Sequence, residues 1–174
     1  FRPDHDSGSF EGHSLNEERQ PVVEVSYVNA MEFCEWLTGR LANEAGFDKN
    51  TLCIRLPSHD EWTAFATCGD GREYPWGNDW PPTCGNYGDE AAKRAFPEWE
   101  HIDGVDNGFA VSCPVEDSGE NDWGLFGVGG NAYEWTFEAH GMGLELRGAS
   151  WSTSNPMWIR VMNRSQREPG STLL

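Results

Sequence analysis

At 174 residues the chain suits one ordinary domain and is cramped for two. Only 37% of the residues are hydrophobic, but nine Trp, nine Phe and four Tyr bring large apolar areas, enough to fill a core. Twenty-nine acidic against twelve basic residues give a net charge of −17, which repels nucleic-acid phosphates and anionic membrane surfaces and leaves solubility or cation binding as its use.

Residues 1–20 mix Asp, Ser, Gly, Glu and His without an apolar period, which predicts an arm or long loop that wraps the domain; residues 21–174 form that domain. Pro21-Val-Val-Glu-Val25 has the β-branched character of a short strand, and Ser26 stands where a helix cap would follow. Ala30, Phe33, Cys34, Leu37 and Leu41 recur at three- and four-residue spacing, which predicts one core-facing side of a helix running to Ala45, with Gly46 as its stop. Cys53-Ile-Arg-Leu56 reads as a second strand, ended by Pro57. Ser58-His-Asp-Glu61 has capping-box spacing and opens a second helix with Trp62, Phe65 and Ala66 on its apolar side. Gly69-Asp-Gly71 breaks that helix before the turn Tyr74-Pro-Trp-Gly77. From Gly77 to Gly143 the chain is rich in Gly, Pro, Asp and Asn and reads mostly as loop, which needs ions or aromatic plugs to organise it.

No apolar run approaches the ~20 residues of a membrane helix, and Phe1 to Phe10 lack a signal-peptide pattern. The expectation is a soluble chain with no membrane insertion; extracellular, virion-associated and cytoplasmic placements stay open. The five cysteines, Cys34, Cys53, Cys68, Cys84 and Cys113, lack zinc-site rhythm and read mainly as buried free thiols.

Four segments, Val22-Val-Glu-Val-Ser-Tyr27, Arg55-Leu-Pro-Ser-His-Asp-Glu-Trp62, Tyr74-Pro-Trp-Gly77 and Gly130-Asn-Ala-Tyr-Glu-Trp-Thr136, are followed by Leu146-Arg-Gly-Ala-Ser-Trp151 and Arg160-Val-Met-Asn-Arg164. In this order they resemble the formylglycine-generating enzyme (sulfatase-modifying factor) family over about Pro21 to Pro169. The resemblance implies an α+β, C-type-lectin-like fold in which two helices flank small antiparallel sheets and long loops carry the binding surface. Trp62, Trp76 and Trp135 are expected in the core and Trp158 at the surface.

In the enzyme, the resemblance places two copper-binding cysteines at the positions of Thr153 and Trp158 here. Soft Cu(I) needs thiolate or thioether ligands, which neither a hydroxyl nor an indole replaces, so no copper is expected. An iron site would have to draw on His5, His13, His59, His101 and His140, whose spacing suggests none. Ser150 lacks the Gly-x-Ser-x-Gly context of an exposed nucleophile.

The resemblance also implies up to two structural calcium sites: Asn86, the Tyr87 carbonyl, Asn107 and the Phe109 carbonyl for one; Gly127, the Gly130 and Ala132 carbonyls and Glu134 for the other. Asn107 replaces an expected Asp and Gly127 an expected Asn, which lowers the charge of both ligand sets.

Residues 151–169 alternate small polar side chains with Trp, Ile, Met and Arg. Their layout also resembles the variable proteins of diversity-generating retroelements, which bind ligands through a carboxyl-terminal lectin-fold surface. That resemblance makes Ser152, Thr153, Ser154, Asn155, Ile159, Val161, Asn163, Ser165 and Gln166 variable surface positions and Arg160 and Arg164 scaffold, while an exposed Trp158 supplies a rigid anchor. The expected function is non-catalytic recognition of a macromolecule, a protein or cell-surface ligand; the alternative is a sulfatase-modifying or related oxidoreductase.

Overall fold

The computed structural model describes residues 4–46, 48, 50–51, 53–137, 144–168 and 170–172. His140 and Pro169, which entered the expectations above, lie outside the described residues.

The arm turns back on itself as a small antiparallel hairpin, β1 (Ser9–Phe10) and β2 (His13–Ser14). It is part of the core. Leu15 is buried with Val23, Ala92, Phe96, Val111 and Trp151, and Phe10 packs edge-on against Phe96 and Trp151 at ring separations of 5.5 and 5.3 Å. The predicted strand at residues 21–25 does not form. Its hydrogen bonds go to side chains of the arm instead: the Val23 amide donates to Ser7 Oγ, and the Val23 carbonyl pairs with His5 Nε2. β-branched residues favour an extended chain, but a strand also needs a neighbouring ladder.

Helix α1 (Tyr27–Ala45) starts at the Ser26 capping box and ends at Gly46 in the left-handed conformation, as its punctuation predicts. Its core face is narrower than the periodicity suggests: Cys34 is buried, Ala30, Leu37 and Leu41 are half-buried, and Phe33 lies exposed beside Trp36. The second predicted strand is also absent. The Ile54 amide donates to Thr38 Oγ1 on α1, so the segment is pinned to a helix rather than a sheet.

Helix α2 (His59–Thr67) has the expected capping box between Ser58 and Glu61. It buries Trp62, Ala66 and Thr67, whereas Phe65 is exposed. Tyr74 and Gly77 close the predicted turn through two backbone hydrogen bonds, and Trp76 stacks on Tyr74 at 4.8 Å.

The loop-rich middle contains a helix that the reading above passes over, α3 (Glu90–Ala95), followed by a 3-10 turn at Val115–Ser118. The signals of α3 are local: Asp89 caps it through the Ala91 amide, Glu90 stands in the first turn, and Lys93 and Arg94 in the last, each charge complementing the helix dipole. Strands β3 (Glu134–Thr136), β4 (Leu144–Arg147) and β5 (Arg164–Arg167) form an antiparallel sheet with β4 central, and α4 (Pro156–Ile159) lies on the connection from β4 to β5. The Phe137 amide bonds to the Pro57 carbonyl and the Trp135 indole donates to the Val25 carbonyl, tying this sheet to the starts of α2 and α1. No helix among the described residues is long and apolar enough to cross a membrane.

Where β4 leaves the sheet, Gly148 and Gly129 approach so closely that a Cβ on Gly148 would lie 3.1 Å from the Gly129 Cα. Gly129 has φ +88°, and a Cβ there would meet Pro75 Cγ at 2.4 Å. Gly129→Ala is expected to cost about 2–4 kcal/mol, from left-handed strain plus overpacking against a rigid ring. A lowered thermal midpoint in calorimetry checks this; an unchanged one would show that the loop gives way freely.

Candidate functional site: a polar surface pinned between two core anchors

The stretch after β4 is built from the inside outward. Trp151 is fully buried and stacks on Trp99 at 5.7 Å, which roots the segment. Residues 150–153 then make a tight turn: the Thr153 amide bonds to the Ser150 carbonyl, the Ser150 amide donates to Thr153 Oγ1, and the Gly88 amide holds the Thr153 carbonyl. Asn155 caps α4 through the Met157 amide, and Pro156 supplies the fixed φ of a first helical residue.

One turn of helix places Ile159 in the core with Tyr74, Tyr87, Ile102 and Ala149, and directs Met157 and Trp158 outward at 55% and 58% exposure. Val161 enters the core beside Trp62 and Ala66, its amide held by the Glu73 carbonyl, while Met162 is exposed. The Asn163 side chain donates to the Trp158 carbonyl and locks the loop before β5.

This settles where each expected binding residue lies. Ser152 and Gln166 are exposed, Ser154, Asn155, Asn163 and Ser165 half-buried, and Trp158 projects to solvent. Thr153, Ile159 and Val161 are corrected from surface to interior: their relative exposures are 5%, 1% and 1%, because the two aliphatic side chains anchor the loop and the Thr153 hydroxyl is used inside the turn. Arg160 makes a half-exposed ion pair with Glu73, and Arg164 is largely exposed. The scaffold arginine is instead Arg147, fully buried on β4. Sequence reasoning missed Met157 and Met162, although Pro156-Met-Trp on a one-turn helix is a pattern that projects side chains outward. Beside this surface, Glu100, His101, Ser154, Asn155 and Pro156 line an open groove of about 460 Å³.

At the positions expected for copper cysteines stand a buried, hydrogen-bonded hydroxyl and an exposed indole, neither of which ligates Cu(I). All five cysteines are free thiols. Burial pushes Cys113 up to about 11 and raises Cys34 and Cys84 as well, which keeps these three protonated at neutral pH and weakens them as soft-metal ligands.

The two calcium ligand sets that the resemblance implies differ in their chemistry. In the first, Asn86 Oδ1 accepts a 2.6 Å bond from Asn107 Nδ2, and Asn107 Oδ1 accepts from the Phe109 amide. Each side-chain oxygen thus already accepts one amide donor, and the set contains no carboxylate, so it offers only neutral, partly used oxygens. A ligand set without charge fits calcium poorly. In the second, Gly127 offers no side chain, and a Cβ there would meet Ser118 Oγ at 3.0 Å. The Gly130 carbonyl already accepts from the Ala132 amide but retains a lone pair. Glu134 carries the charge. Its carboxylate accepts from Trp62 Nε1 at 2.7 Å and from the Gly129 amide, yet burial outweighs both and pushes it up to about 7. Among the described residues Glu134 has no salt-bridge partner, and a buried carboxylate without a cation is what a calcium ion would neutralise. In this second set the chemistry of Glu134 suits the ion.

A family model described as "Sulfatase-modifying factor enzyme 1-like domain" matches residues 3–173. The "Inactive C-alpha-formylglycine-generating enzyme 2" of Bos taurus is 34% identical over 137 residues, covering 75% of this chain and 38% of that protein. The "Formylglycine-generating enzyme" of Streptomyces coelicolor is 28% identical over 173 residues, covering 87% of this chain and 49% of that protein. The chain therefore spans less than half the length of either relative. Among solved structures, Treponema denticola variable protein 1 superposes with a TM-score of 0.64 at 21% identity, covering 97% of this chain and 74% of that one. That likeness shows the fold, the α+β, C-type-lectin-like architecture of the formylglycine-generating type.

Proposed function

We propose that this chain, which belongs to the sulfatase-modifying factor enzyme 1-like domain family, is a non-catalytic binding domain that recognises a protein or cell-surface ligand through residues 152–166. The observation that carries the reading is the exposure of Trp158, flanked by Met157 and Met162, on a one-turn helix whose Ile159 and following Val161 are locked in the core. A large aromatic on a backbone pinned in this way requires little ordering of the chain on binding, and Trp is enriched among energetic anchors of interfaces. Ser152, Ser154, Asn155, Asn163 and Gln166 surround it with adaptable hydrogen-bonding groups.

Diversification by a retroelement fits the same geometry over a smaller set of positions. Ser152, Ser154, Asn155, Trp158, Asn163, Ser165 and Gln166 can change without emptying the core, whereas Thr153, Ile159 and Val161 cannot. In this reading calcium sits at the Glu134 loop as a structural ion, behind the surface rather than in it.

A panel of candidate proteins and cell-surface ligands, screened for binding to the wild-type chain and to Trp158→Ala, tests the proposal. Loss of a central aromatic anchor is expected to weaken binding about 30-fold or more, from a cost of at least ~2 kcal/mol. Equal binding by both chains would remove this surface from the recognition. The oxidoreductase reading, which the enzyme names of the relatives favour, makes the opposite prediction: stoichiometric Cu(I) uptake with oxidation of a cysteine-containing peptide. That outcome would overturn the binding reading.

A further inference from the structure

We propose that Glu90, His101 and Asp103 form a binding site for one divalent cation of the zinc class, separate from the Glu134 loop. Among the described residues they are the group of His, Cys, Asp or Glu side chains that converges closely enough for shared metal ligation, with one ligand atom from each lying within 4.8 Å of the others.

The chain brings them together by ordinary means. Glu90 is the first residue of α3, and its amide bonds to the Val105 carbonyl, which draws the 101–105 loop over the helix start. Ile102 is buried and its amide bonds to the Gly88 carbonyl. His101 and Asp103 flank that anchor, and both reach Glu90's side of the loop: His101 Nε2 lies 2.9 Å from Asp103 Oδ1 and 3.7 Å from Glu90 Oε1. Ligands bound to zinc at about 2.0–2.2 Å in a tetrahedral shell stand about 3.3 Å from one another, and these two separations bracket that distance.

The second observation is the company of the same nitrogen. Lys93, one turn along α3 from Glu90, places its ammonium Nζ 2.9 Å from His101 Nε2. If Nε2 carries a proton it satisfies Asp103 but faces the ammonium; if it does not, it accepts from Lys93 and has no proton for the Asp103 carboxylate. The conflict disappears when a cation sits among the three ligand atoms, and the ammonium is a stand-in for that cation. Lys93 is exposed and long, so it can swing away. An imidazole with two carboxylates suits zinc and its first-row neighbours, and the net charge of −17 raises the local concentration of any divalent ion. His101 also lines the groove with Ser154 and Asn155. A three-ligand site keeps a coordination position open, which gives a carboxylate or hydroxyl in that groove an oxygen-binding partner. The metal site itself stands whether or not residues 152–166 bind a macromolecule.

Cobalt(II) reports this directly, because its visible spectrum distinguishes nitrogen and oxygen ligands from thiolates. Titration of the full chain in saturating calcium is expected to give one Co²⁺ per chain, with no sulfur-to-cobalt charge-transfer band, displaced by one equivalent of Zn²⁺. His101→Ala and Asp103→Asn are each expected to weaken binding at least tenfold, and Lys93→Met to strengthen it. Asp103 is almost wholly exposed, so its substitution does not threaten folding. No binding at millimolar Co²⁺, a thiolate band, or affinity unchanged by both His101→Ala and Asp103→Asn would overturn the assignment.

Discussion

Replacing Arg147 by methionine is expected to destabilise the native chain by about 3–5 kcal/mol in chemical denaturation, the usual result of leaving one half of a buried ion pair behind. Arg147 is wholly buried, with its Nη1 3.2 Å from Glu145 Oε1, its Nη2 bonded to the Val161 carbonyl at 2.7 Å and to Thr63 Oγ1, and its guanidinium 4.7 Å from the Trp62 ring centroid. The side chain therefore joins β4, α2 and the loop that carries the proposed binding surface. Glu145, itself 3% exposed, would retain His59 Nδ1 at 2.8 Å and a distant Arg164. Adding Glu145→Leu to Arg147→Met is expected to recover most of the loss, because the stranded carboxylate goes with its partner. If the double variant is as unstable as the single one, the bond to the Val161 carbonyl and the packing on Trp62 dominate instead, and the ion pair contributes little.

Glu134 gives the second large effect, and its sign depends on pH. The carboxyl titrates near 7 in the native chain and near 4.5 when exposed on unfolding, so the native state holds the extra proton between these values. Stability from this group is fully present below about pH 4.5, is lost as pH rises from there through 7, and stays lower above it. Glu134→Gln removes the buried charge and keeps one carbonyl oxygen as an acceptor for Trp62 Nε1. Without calcium it is expected to exceed the parent by on the order of 2–3 kcal/mol at pH 8, and to match it near pH 4. Calcium narrows the gap. At about ten times its dissociation constant the ion adds on the order of 1.4 kcal/mol to the parent at pH 8, and nothing to the Gln variant. Thermal midpoints of both chains at the two pH values, with and without calcium, separate the cases. A parent unresponsive to calcium, or a Gln variant that keeps the response, would remove the ion from this loop.

The candidate surface was partly legible because its signals are local. Trp158 stands among small polar residues, so both the stretch and its anchor could be read without coordinates, whereas the one-turn helix that Asn155 caps was not read. The error lay in assigning Ile159 and Val161 to the same surface, since alternation along a loop does not say which phase faces inward. For the cation cluster there was no usable spacing: Glu90 and His101 meet only because Ile102 is buried against the segment that leads into α3.

By itself the sequence determined what short-range chemistry governs: the two capping boxes and the Gly46 stop that bound α1 and α2, the Tyr74 to Gly77 turn, and, through the order of its motifs, the family and its fold. Tertiary structure alone decided what depends on a distant partner. It denied residues 21–25 and 53–56 a ladder and tied them to Ser7 and Thr38, turned the polar arm into a wall of the core through Leu15, and made Arg147 the scaffold arginine. The reason is common to all of these: a hydrogen bond or a buried charge is stabilised by whichever group lies opposite it, and that group can be a hundred residues away in the chain.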